Sequence, residues 1–70
     1  YEKNERAIQI SKALNKLDEK YRTLLILRHY NELSYDEIGE ILELPTAKVK
    51  SRLYIAREKL RNLLGSYDNE

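Results

Sequence analysis

Residues 34–64 read SYDEIGEILELPTAKVKSRLYIAREKLRNLL, and this stretch decides the fold. Ser34 followed by Glu37 is a capping box, in which a serine hydroxyl and a glutamate carboxylate satisfy each other's backbone N–H groups, so a helix is expected to open at Tyr35. Ile38, Ile41 and Leu42 recur at helical spacing and are its expected inward face. Glu43-Leu44-Pro45 should end it, because the residue before a proline is pushed out of helical geometry. Thr46 is placed to cap a longer helix running to about Leu64, with Gly65 as its natural stop. A short helix, a tight turn and a longer basic helix make a helix-turn-helix, whose second helix enters the major groove of DNA. Gly39 sits inside the first of these helices, where glycine is unfavourable by about 1 kcal/mol against alanine. A missing side chain there would let the following helix cross closely.

Upstream of this stretch the same periodicity continues. Ala7, Ile10 (or Ile8), Leu14 and Leu17 form an apolar stripe on a helix expected over about residues 4–16. Asp18 is a candidate cap for a second helix from Glu19 to about Tyr30. Its centre, Leu24-Leu25-Ile26-Leu27, is apolar nearly all round and is expected to be the most buried segment; Asn31-Glu32-Leu33 then forms a turn. With one proline, two glycines and no strand-like alternation, the chain is expected to be all-α, a four-helix helix-turn-helix domain with a long C-terminal recognition helix.

Seventy residues suffice for one domain with a thin core. Without methionine the chain does not begin at a translation start, so a single domain over residues 1–70, excised from a longer protein, is expected. The absence of cysteine excludes disulfides and thiolate metal sites and fits a reducing cytoplasm. No apolar run approaches the roughly 20 residues that cross a membrane, and no signal-peptide pattern is present. His29 has neither a second histidine nor a cysteine to complete a metal site. Asp36, Glu37, Glu40 and Glu43 read as a solvated acidic helix face, favourable near a helix N-terminus. With no phosphate loop, nucleophile elbow or metal spacing, neither enzyme activity nor a cofactor is expected.

Net charge is only +1, but it is unevenly spread. Residues 1–45 carry seven basic against nine acidic side chains, whereas residues 46–64 carry Lys48, Lys50, Arg52, Arg57, Lys59 and Arg61 against Glu58 alone. Such concentration of positive charge is the footprint of a polyanion partner. At about 100° per residue, Val49, Leu53, Ala56, Leu60 and Leu63 fall in one sector and must face the core. Ala47, Ser51, Tyr54, Ile55 and Glu58 lie opposite, flanked by Lys50, Arg57 and Arg61 on one side and Lys48, Arg52 and Lys59 on the other. Flanking cations suit phosphates and the central groups suit base edges, with Tyr54 and Ile55 able to meet thymine methyls. Of the six tyrosines, Tyr21, Tyr30 and Tyr35 fit helix-boundary packing and Tyr54 alone is a candidate for DNA.

The residues Leu33-Ser34-Tyr35-Asp36-Glu37-Ile38-Gly39, Leu44-Pro45, Val49-Lys50-Ser51-Arg52-Leu53 and Ala56-Arg57-Glu58-Lys59-Leu60 resemble region 4 of sigma-70-family factors, most of all the extracytoplasmic-function group. Leu17-Asp18-Glu19-Lys20-Tyr21-Arg22 is similar to the opening of that group's second helix, with Asp18 in place of proline. The resemblance covers about residues 5–64. It implies a cytoplasmic, monomeric promoter-binding domain of an alternative sigma factor, reading the −35 element of double-stranded DNA during transcription initiation. It also implies contact with the β flap of RNA polymerase core and masking by an anti-sigma factor, without membrane insertion.

By position, Lys50, Ser51 and Tyr54 match base-proximal residues, and Arg52 and Arg57 match positions supporting phosphate contact or the fold. The full candidate DNA-binding set is Thr46, Ala47, Lys48, Lys50, Ser51, Arg52, Tyr54, Ile55 and Arg57. Two departures bear on specificity: Ile55 stands where many members carry a basic residue, and Thr46-Ala47-Lys48 stands where Val-Gly-Thr is common. The four-helix plan also fits the output domain of a LuxR-like response regulator, and a helical module that docks only on polymerase or an anti-sigma factor would share the same core.

Overall fold

A computed structural model describes residues 5–68, with side chains through Gly65. Residue 4, the expected start of the first helix, and the acidic side chains of Asp68 and Glu70 lie outside what is described. The order is α1 (Glu5–Lys16), α2 (Glu19–Leu25) continued by a π-helical turn (Ile26–Tyr30), α3 (Tyr35–Leu42) and α4 (Thr46–Asp68). No strand occurs among the described residues. Helix α4 packs against α1, α2 and α3 and is the spine of the domain.

The core joins Leu14 and Leu17 to Leu24, Leu25, Ile38, Val49, Leu53 and Ala56, with Leu60 and Leu63 half-buried against it. The inward sector expected for α4 is therefore the observed one. Elsewhere the expected faces need correction. Ile41 is 56% exposed. The face of α3 is set by buried Ile38 and Gly39 and half-buried Leu42, and Ile41 lies more than a quarter-turn from it. Ile26 is exposed because the neighbours of α2 cover only the side that carries Leu24 and Leu25. On α1, Ala7 in the first turn is exposed and Ala13 is fully buried.

The helix ends show which local signals hold. The Glu37 N–H donates to Ser34 Oγ at 3.1 Å, and the Ser34 N–H donates to Glu37 Oε1 at 2.8 Å, completing the capping box. Asp18 occupies the cap position of α2, but its side chain makes no capping bond; its carbonyl accepts from the Tyr21 and Arg22 N–H groups instead. The second helix ends by widening: the Asn31 N–H reaches the Ile26 carbonyl five residues back, and Glu32 is left-handed with φ 55°. Helix α3 ends at Glu43, also left-handed with φ 58°, and the Leu44 N–H donates to the Gly39 carbonyl at 2.9 Å.

Here Gly39 has a different reason from the one expected. A Cβ at residue 39 would stand 2.7 Å from the Leu44 carbonyl oxygen, whereas Val49 Cγ2 would be in ordinary contact at 3.8 Å. The turn, not the following helix, needs the missing side chain. Thr46 is the first residue of α4, not its cap; the Pro45 carbonyl accepts from the Lys48 and Val49 N–H groups. Gly65 does not stop α4, which continues to Asp68 without a left-handed residue. No helix among the described residues is long and apolar enough to cross a membrane.

Candidate nucleic-acid interface

The turn between α3 and α4 fixes where the long helix starts. Thr46 Oγ1 donates to Asp36 Oδ1 at 2.7 Å, tying the first residue of α4 to the first turn of α3. From there α4 presents a face whose orientation follows from its buried side. Because Val49, Leu53 and Ala56 are fully buried, the opposite sector is turned outward. Thr46, Ala47, Lys48, Lys50, Ser51, Tyr54 and Ile55 are all exposed, Tyr54 at 66% and Ile55 at 41%. The Ser51 hydroxyl donates to the Lys48 carbonyl at 3.2 Å, so its lone pairs are what it offers outward.

Two members of the candidate set are held differently. Arg52 is half-buried beside Leu24, Leu42 and Leu44. Arg57 is half-buried and lies near the Tyr35 phenol, whose pKa its hydrogen-bonding guanidinium and charge pull down from the ordinary value of 10.0; burial opposes the shift, and Arg28 reinforces it. Both arginines are thus engaged with the body of the domain as well as lying on the flanks of α4. Of the other flank cations, Lys59 Nζ lies 5.6 Å from the centroid of the Tyr21 ring, and Arg61 pairs with Glu58 at 3.0 Å.

Arg28 carries no signal in the pattern of apolar residues, yet it bridges the second helix and the helix-turn-helix. Its Nη1 donates to the Leu33 carbonyl at 3.0 Å and its guanidinium lies 5.1 Å from the centroid of Tyr35. A charged residue beside the apolar run was the available clue, but only the turn at Glu32 brings its partners within reach. Next to it, His29 is exposed, as expected for a surface or boundary residue. Burial, then the charges of Arg57 and Arg28, push its pKa below 6.5. Among the described residues no cluster of His, Cys, Asp or Glu has the makings of a metal site.

A second feature was not anticipated. An apolar groove of about 360 Å³ runs between α1, α2 and the second half of α4, floored by Ile10, Leu14, Leu25, Leu60 and Leu64 and edged by His29, Tyr30, Arg57 and Arg61. Tyr30, expected to pack at a helix boundary, stands on this edge and is 63% exposed.

Three helices around a tight αL turn, with a long basic helix whose free face is flanked by cations, define a helix-turn-helix domain. The chain belongs to the sigma-70 region 4 family, whose model matches residues 7–60. It is 47% identical over 55 residues to the ECF RNA polymerase sigma factor SigW of Bacillus subtilis, covering 79% of this chain and 29% of that protein. Similarity to the RNA polymerase sigma factor YlaC of the same organism is 43% over 58 residues, 81% of this chain and 34% of the relative. The ECF RNA polymerase sigma-E factor of Haemophilus influenzae is 39% identical over 49 residues, 70% and 26% of the two chains. The chain therefore spans about a third or less of the length of these relatives.

Proposed function

We propose that this chain is the promoter-reading domain of an alternative sigma factor, binding double-stranded DNA at the −35 element with α4 in the major groove. The observation that carries this is the outward face of α4. Exposed Ala47, Ser51, Tyr54 and Ile55 occupy its middle, and Lys48 and Lys50 flank them near the helix start. That order matches the division between base-edge contacts and phosphate contacts in groove-bound helices. Membership of the region 4 family supports the same reading.

The apolar groove between α1, α2 and α4 favours a protein contact as well, and the β flap of RNA polymerase is its proposed occupant, with an anti-sigma factor competing for the domain. The two roles are compatible, because the groove and the middle of the outward face of α4 use different sides of that helix, with Arg57 at their border.

The test is selection of bound sequences from a random duplex pool at low salt, with Tyr54→Ala and Ser51→Ala in parallel. A short, non-palindromic site whose enrichment falls in both variants is the expected result. A palindromic site would point to a dimeric regulator, and a folded chain that enriches nothing would leave only the protein-docking role.

A further inference from the structure

Resting on the reading of α4 as a groove-bound helix, we infer that Ile55 is a specificity-determining residue that selects a thymine through its 5-methyl group. The position of the side chain carries the inference. Ile55 is 41% exposed on α4, whose core side is already filled by fully buried Val49, Leu53 and Ala56. It stands one turn beyond Ser51, next to Tyr54 and on the side of the outward face that also carries Lys48 and Lys59. A scattered surface isoleucine needs no explanation, but one in the middle of a face bordered by cations does.

Isoleucine has no hydrogen-bonding atom, so a base edge can reward it only with apolar surface. Of the groups that the four base pairs present in the major groove, only the thymine methyl is apolar. Against a guanine or cytosine edge the same side chain would strip water from polar atoms and replace none of their hydrogen bonds. Ile55 therefore favours thymine and penalises the alternatives. Ser51 supports the same base pair. With its hydroxyl proton on the Lys48 carbonyl, it faces outward as an acceptor, suited to an exocyclic amine such as the adenine N6 group. An A·T pair puts an amine and a methyl in one groove.

The experiment starts from the duplex enriched by the full 70-residue chain and replaces each thymine in turn by deoxyuridine, which removes the methyl and nothing else. Affinities are measured by fluorescence anisotropy for the unaltered chain and for Ile55→Ala, with urea unfolding to show that both are folded. At one thymine the unaltered chain should lose about fourfold in affinity, the value of burying one carbon of apolar surface, and Ile55→Ala should lose nothing further there. Ile55→Arg should abolish the methyl dependence and shift the selected base at that position toward guanine. Equal affinity for every deoxyuridine duplex, or an equal loss in Ile55→Ala, overturns the inference while the DNA-binding reading stands. If no sequence is enriched at all, that reading fails and the inference with it.

Discussion

Gly39 shows how one missing carbon holds a turn together. Its amide lies in a helix, where alanine would ordinarily be preferred by about 1 kcal/mol. The Leu44 carbonyl lies 2.7 Å from where a Cβ would stand. That carbonyl is backbone, held between a left-handed Glu43 and Pro45, and cannot swing away as a side-chain end could. Gly39→Ala should therefore destabilise the chain, by about 1–3 kcal/mol in urea unfolding, as overpacking does elsewhere. Leu53→Ala, at a fully buried position, should cost about 2–5 kcal/mol by the same measurement. His29 gives a pH dependence of definite sign. Its folded-state pKa lies below 6.5, so the unfolded chain binds the proton more readily. This group's contribution is fully present above 6.5 and is lost as pH falls through that value toward the lowered folded pKa. In unfolding curves collected at about pH 7.5 and about pH 5.5, His29→Gln should lose less stability on acidification than the unaltered chain.

At the scale of elements, local signals differ in how far neighbours can override them. The capping box of α3 closes as its spacing dictates, because both bonds join residues three apart that need nothing beyond themselves. Ser34→Ala should cost about 1 kcal/mol. The glycine stop of α4 is the opposite case. Glycine permits a left-handed residue but does not impose one, and α4 runs through Gly65 to Asp68. Nothing lies within 4 Å of a Cβ built there, so Gly65→Ala should raise stability by up to about 1 kcal/mol, seen as a higher midpoint in thermal or urea unfolding. A loss of stability would mean that the helix does stop at residue 65. Between elements, the Thr46–Asp36 hydrogen bond joins the start of α4 to α3, linking the direction of α4 to the turn before it.

Across the whole molecule, the division of charge separates two surfaces of one long helix. Arg57 and Arg61 stand on the edge of the apolar groove, whereas Lys48 and Lys50 border the outward face of α4 near its start. Neutralising a cation there should lower the number of ions released on binding DNA. Lys50→Ala should weaken binding and reduce the slope of log affinity against log salt by roughly 1. An unchanged slope would remove Lys50 from the interface. The apolar groove on the other side of α4 should respond differently: Leu64→Asp should leave DNA affinity close to unchanged and weaken capture of the isolated β flap.

The all-helical class, the order of the elements, the core side of α4 and the cations around its free face were legible in the amino-acid order. All of these follow from periodicity and capping within single helices, which depend on residues a turn apart. The packing of the helices decided that Ile41 and Ile26 face solvent, that α2 ends in a π-turn and that Arg28 is bonded to the Leu33 carbonyl. It also decided that Ile10, Leu25 and Leu64, far apart in the chain, line one groove. Each of these depends on how helices cross and which sides they leave uncovered, and periodicity along one helix holds no information about where its neighbours lie.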